Sequence, residues 1–118
     1  MSTARLDYVE FPVTDCAASK SFFEAAFGWS LTEYGPTYAS TTTGDVDIGL
    51  DGTPGEAVAA PLAVIRVDDL EAARSDVMAA GGTVTRDIFA FPGGRRFHFR
   101  EPGGNELAVW VTEGESAE

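Results

Sequence analysis

The chain has 118 residues, 44% of them apolar, and 19 acidic against 8 basic side chains give a formal net charge of −11. This length and apolar content suit a single domain spanning 1–118 and leave no need for a second core. So acidic a surface repels phosphate backbones, which excludes nucleic acid as a partner, and no apolar run is long enough to cross a bilayer. The opening Met-Ser-Thr-Ala-Arg lacks the apolar core of a signal peptide, so a soluble, cytoplasmic protein with no membrane partner is expected. One cysteine, Cys16, cannot form an internal disulfide and suits a reducing compartment. The acidity itself serves solubility or favours a cationic ligand.

Residues 6–13 alternate, with Val9, Phe11 and Val13 on one side and Tyr8, Glu10 and Pro12 on the other, which predicts a strand with one packed face. Thr14 or Asp15 can cap the helix that follows. Phe22, Phe23, Ala26 and Phe27 form its apolar stripe, expected in the core, and Gly28 ends it. Cys16 at this helix start is either a thiol of lowered pKa or a small buried apolar residue. Residues 29–34, 37–42 and 46–50 read as short strands between the turns at Gly35-Pro36 and Thr43-Gly44-Asp45. Residues 52–60 carry several breakers and no period, and form a linker.

A second strand–helix pair follows. In residues 61–67, Ala63, Ile65 and Val67 share a face, and Asp68 with Glu71 resembles a capping box. Leu70, Ala73, Val77 and Ala80 make the stripe, which Gly81-Gly82 stops. Three more strands are expected over 83–89, 95–100 and 105–111, separated by Pro92-Gly93-Gly94 and Pro102-Gly103-Gly104, with a flexible tail over 113–118.

The halves repeat. With Val13 laid on Val67, the residues Asp15, Ala18, Ser21, Ala25, Ala26 and Gly28 fall on Asp69, Ala72, Ser75, Ala79, Ala80 and Gly82. One module is thus written twice, over about 5–51 and about 61–112, and the fold class is α+β with two tandem βαβββ modules.

An Asp after each first strand, Phe23-x-x-x-x-Gly28-Trp29 at the helix end and the closing Arg96-Phe-His-Phe-Arg-Glu-Pro-Gly-Gly-Asn-Glu-Leu107 resemble the vicinal oxygen chelate superfamily of glyoxalase, bleomycin-resistance and dioxygenase proteins. Glu101 stands where that superfamily's hairpin usually has Asp. The resemblance implies curved half-barrel sheets around a cavity, a small-molecule ligand, and a homodimer that completes the cavities. It also implies a divalent metal held by the first and last strands of each module. Carried onto this chain, those positions are Tyr8, Gly49, Leu62 and Ala108, none of which offers an imidazole or carboxylate. No metal cofactor is therefore expected at the usual positions, which argues against glyoxalase I chemistry, thiol transfer and ring cleavage.

If Val9, Phe11, Ala63, Ile65, Phe97, Phe99, Leu107 and Val109 pack under the helices, alternation turns their neighbours to the concave face. The candidate ligand-binding residues there are Tyr8, Glu10, Asp47, Arg66, Arg96, His98, Glu106 and Trp110. His98 and Glu10 are the catalytic candidates, since imidazole titrates near neutral pH and a carboxylate can orient it. Glu10, His98 and Glu106 are the candidates for a displaced divalent metal. The plainer readings are a solvated face or a subunit contact, a structural histidine paired with an acid, and arginines that balance Glu10, Asp47 and Glu106. The expected function is binding of a small organic molecule, a resistance-type binder being one form. The alternatives are a lyase, isomerase or dioxygenase-type enzyme using a displaced metal or metal-free acid–base chemistry through His98 and Glu10, and a partner-binding module. A bulge near Pro92-Gly93-Gly94 would invert Arg96, His98 and Arg100.

Overall fold

The computed structural model describes residues 4–55 and 59–113. Residues 56–58 of the linker and 114–118 of the expected flexible tail lie outside the described residues, as do 1–3. Eight strands and two helices follow in the order β1 (Arg5–Pro12), α1 (Cys16–Phe27), β2 (Thr32–Glu33), β3 (Tyr38–Ser40), β4 (Asp47–Asp51), β5 (Leu62–Arg66), α2 (Leu70–Ala79), β6 (Thr83–Phe91), β7 (Gly94–Arg100) and β8 (Glu106–Thr112). This is the expected α+β class with βαβββ occurring twice. The chain divides into two compact units, Asp7–Leu62 and Ala63–Glu118 with Met1–Leu6. No helix among the described residues is long and apolar enough to cross a membrane.

The strand order is β2-β3-β4-β1 in the first unit and β5-β8-β7-β6 in the second. In each, the module's first and last strands pair parallel and the remaining neighbours antiparallel. Parallel neighbours need a crossover, which the intervening helix begins.

Asp15 caps α1, its side chain accepting from the Ala18 N–H at 3.1 Å, and Gly28 ends the helix in the left-handed region at φ 72°. The stripe differs from expectation. Cys16 is buried and Phe23 packs with Phe11 and Val13 on Leu31, Ala39 and Leu50, but Phe22 and Phe27 are 59% and 60% exposed. Phe22 meets Phe23 and Phe27 edge-on, while Phe27 stacks on Phe23 and tilts against Trp29 at the helix end. Burial pushes the Cys16 thiol up, so Cys16 is a packing residue.

The expected Asp68–Glu71 capping box does not form around α2. The cap is Asp69, one residue later, whose side chain accepts from the Ala72 N–H at 3.0 Å. Glu71 is drawn away to pair with Arg95 at 2.6 Å. Leu70, Ala73 and Val77 do face the core, while Ala80 is the exposed C-cap. Several strands are shorter than expected, β2 above all, which pairs with β3 only at Thr32 and Glu33.

Under α2, Phe97, Phe99, Val109 and Val111 join Val67 and Leu70, with Ile65 and Leu107 packed against them. Because side chains alternate along a strand, His98 and Arg96 leave β7 on the opposite face. Cross-strand pairing puts Ala108 beside His98 and Trp110 beside Arg96. No bulge interrupts the pairing of β7 with β8 from Gly94 to Arg100. The irregularities fall on β6, between Val84 and Arg86 and between Arg86 and Phe89. In the loop before β8, Glu101 accepts from the Gly103 N–H at 2.6 Å and from both the backbone and the side-chain nitrogens of Asn105. These bonds hold its carboxyl below the usual range and make it the anchor of the Pro102-Gly103-Gly104 turn.

Phe97 is wholly buried, so Phe97→Ala is expected to cost about 3–5 kcal/mol, read from urea unfolding midpoints. Asp69→Ala is expected to cost about 1 kcal/mol and Asp69→Asn much less, because Asn retains the capping oxygen. Equal losses in the two Asp69 variants would show that the cap does not stabilise α2.

Candidate functional site

In the first unit, Tyr8 and Glu10 leave β1 on one face, and pairing with β4 sets Glu10 beside Gly49. Gly49 in turn pairs with Ser40 on β3, whose Tyr38 shares that face. The Tyr8 and Tyr38 hydroxyls are hydrogen-bonded to each other, and Tyr38 Oη donates to Glu10 Oε2 at 3.3 Å. Burial, reinforced by the neighbouring Tyr8 and Glu10, pushes the Tyr38 hydroxyl far above the tyrosine range, so it stays protonated as a donor. Glu10 itself is 8% exposed. A Cβ at position 49 would collide with both phenol oxygens. Only glycine therefore lets the two rings meet over β4.

Asp47 is occupied differently. Its Oδ1 accepts from Thr41 Oγ1 at 2.7 Å and from the N–H and Oγ1 of Thr43 at 2.8 Å, and its Oδ2 accepts from the Gly44 N–H at 3.1 Å. Burial pushes its pKa up, but these bonds outweigh it and hold the carboxyl below the usual range. Its visible work is to close the turn before β4. A depression of about 460 Å³ opens in this unit among Gly28, Trp29, Thr41, Thr43, Val46 and Ile48, and no charged side chain lines it.

In the second unit, His98 is 3% exposed. Its Nδ1 lies 3.4 Å from Glu106 Oε2, and that oxygen also accepts from Thr85 Oγ1 at 2.9 Å. Glu106 Oε1 is 4.0 Å from Arg100 Nη2. The other imidazole nitrogen, Nε2, is buried with no hydrogen-bond partner among the described residues. Burial and the Arg96 charge lower the His98 pKa, against the raising effect of Glu106. The ring is therefore neutral near pH 7. With Nδ1–H turned to Glu106, Nε2 would carry the lone pair, which is chemically able to accept a hydrogen bond or a proton.

Phe89 lies 5.8 Å from the His98 ring. The Arg86 and Arg96 guanidinium carbons stand 3.7 and 5.4 Å from the Phe89 ring centre, and Arg66 stands 5.4 Å from that of Trp110. Arg66 Nη2 also donates to Thr112 Oγ1 at 3.5 Å. Of the sequence candidates, Tyr8 and Glu10 are brought together in the first unit, and Arg66, Arg96, His98, Glu106 and Trp110 share a face in the second. Tyr38, Arg86, Phe89 and Phe91 were missed. The spacing of Phe89 and Phe91 was a visible signal, but the face of Arg86 was not, because it follows a β6 irregularity.

The four positions at which the superfamily would hold a metal do not fit one here. Tyr8 is engaged with Tyr38, Gly49 has no side chain, and Leu62 and Ala108 are buried alkyl groups. Among the described residues no three His, Cys, Asp or Glu side chains converge in a way that could hold a metal ion.

A profile described as Glyoxalase/Bleomycin resistance protein/Dioxygenase superfamily matches residues 5–109. A comparison with curated proteins found no match. Among solved structures, a hypothetical protein from Bacillus halodurans C-125 is similar with a TM-score of 0.77 at 13% identity, over 98% of this chain and 99% of that one. Methylmalonyl-CoA epimerase from Mycobacterium tuberculosis gives 0.72 at 14% identity, over 92% of this chain and 87% of that one. The Mn(II)-bound glyoxalase from Novosphingobium aromaticivorans gives 0.63 at 23% identity, over 98% of this chain but 42% of that one. At these identities the structural likeness is one of fold. The profile spans nearly the whole chain, from the start of β1 into β8, and the chain belongs to the Glyoxalase/Bleomycin resistance protein/Dioxygenase superfamily.

Proposed function

We propose that the chain binds a small organic molecule on the helix-free face of its second unit, without a metal at the superfamily's usual positions, and that His98 is the acceptor facing that molecule. The observation that carries this reading is the buried His98 Nε2, left without a partner while Nδ1 is held by Glu106. A buried polar atom left unpaired costs about 1–3 kcal/mol, and a ligand O–H or N–H would recover that cost. The same geometry favours an enzymatic form of the reading. A neutral imidazole oriented by a carboxylate can accept a proton from a bound substrate without a metal, with Glu106 rather than Glu10 as the orienting group. Glu10 serves the Tyr8–Tyr38 network of the first unit. A homodimer and a reducing compartment belong to the same proposal.

Since this chain has one histidine, imidazole nitrogen NMR reports on His98 alone. Near pH 7 a neutral ring protonated at Nδ1 is expected. Phenol, a neutral O–H donor, should shift the Nε2 resonance. A ring protonated at Nε2, or no response to phenol at saturation, would overturn the reading.

A pH effect follows from the lowered His98 pKa. Below the ordinary histidine value of 6.5, the unfolded chain takes up a proton that the folded chain resists, so stability falls as pH drops from there. His98→Gln should lack this component, and the gap between the two proteins in urea midpoint should change as pH is lowered from 7 through 6. Metal analysis of protein purified without a histidine tag is expected to find no stoichiometric divalent ion. A stoichiometric ion that disappears in His98→Ala would replace this reading with a displaced metal site.

A further inference from the structure

We infer that Thr85 is a positioning residue for the proposed site: its hydroxyl holds Glu106 in the pose that keeps the His98 proton on Nδ1 and leaves Nε2 to face a ligand. This rests on the reading of His98 as the ligand-facing acceptor.

Thr85 owes its place to an irregularity in β6. Val84 pairs with Phe99 and Arg86 with His98, so two steps along β6 match one step along β7, and Thr85 is the extra residue. Regular pairing would have set Thr85 itself opposite His98. The shift gives that place to Arg86 and frees the Thr85 side chain from the ladder. Strands β6 and β8 flank β7 on either side, and Thr85 and Glu106 meet from them, Thr85 Oγ1 donating to Glu106 Oε2 at 2.9 Å.

The two oxygens of Glu106 are held unequally. Oε2 faces His98 Nδ1 at 3.4 Å, and it is the oxygen that Thr85 binds. Among the described residues Oε1 has only Arg100, at 4.0 Å, and Arg100 Nη1 donates to the Gly104 carbonyl at 2.8 Å. Glu106 is half-buried, and a carboxylate on so long a side chain turns freely unless donors fix it. An ionised carboxylate only accepts, so Thr85 and His98 must both present a hydrogen to Oε2. Which nitrogen of an imidazole keeps its proton follows from the hydrogen bond made by the other. Thr85 thus acts on Nε2 through Glu106, without touching the ring's open side.

Thr85→Val keeps the β-branched shape and removes the hydroxyl at an exposed position, which leaves the core intact. By imidazole nitrogen NMR near pH 7, Thr85→Val is expected to lower the ratio of Nδ1–H to Nε2–H tautomer severalfold. Phenol binding should weaken severalfold as well, with the urea midpoint close to that of the parent chain. Thr85→Ser is expected to restore both the tautomer ratio and phenol binding. A tautomer ratio unchanged in Thr85→Val overturns the role of Thr85 and leaves the His98 reading standing. So does a Thr85→Ser variant that behaves as Thr85→Val, because the hydroxyl is then not the acting group. A parent chain protonated at Nε2, or unresponsive to phenol at saturation, overturns the inference together with the reading beneath it.

Discussion

Phe97 and Phe99 occupy the space under α2, and every functional statement about the second unit descends from that packing. A strand turns successive side chains to opposite faces. Seating two large rings against the helix therefore leaves His98, between them, only the other side of the sheet. A slip of one residue would bring a histidine into an apolar core and two phenylalanines out of it, which the lost burial of two aromatic rings forbids. The same alternation carries through β8, where Val109 and Val111 go inward and Ala108 and Trp110 outward. Position 108 is small and sits directly beside His98, so the imidazole has room next to it.

The two units use the same βαβββ frame for opposite hydrogen-bonding ends. In the first, Tyr8, Tyr38 and Glu10 satisfy one another, and the absence of a side chain at Gly49 makes their meeting sterically feasible. In the second, the Glu106–His98 pair uses one imidazole nitrogen and leaves the other open. A closed network rigidifies its surroundings, whereas an open buried acceptor represents unspent interaction energy. That asymmetry is the reason the proposed binding is assigned to the second unit. The carboxylates at Asp47, Glu101 and Glu71 are by contrast engaged in turns and ion pairs, where they maintain the scaffold.

The doubled architecture was legible in the chain because its signals are local. Capping residues, a glycine stop after α1 and a period of two along each long strand depend on neighbours a few positions away. They sufficed to turn His98, Arg96 and Trp110 away from α2. Local signals were weakest where two residues compete for one role. Asp68 and Asp69 both suit a cap, and contact geometry selected Asp69.

Tertiary structure alone decided which side chains meet. Two irregularities in β6 reset its alternation, so that Arg86 and Phe89, of unlike parity, stand opposite His98 and Arg96 on one face. Tyr38 joins Tyr8 and Glu10 through the pairing of β3 with β4 and of β4 with β1, a register that no spacing within the chain encodes. Helix and strand periods are properties of neighbouring residues and can be read from their order. Cross-strand register, bulges and the partner of a given imidazole nitrogen arise from packing between distant segments, and only the folded chain contains them.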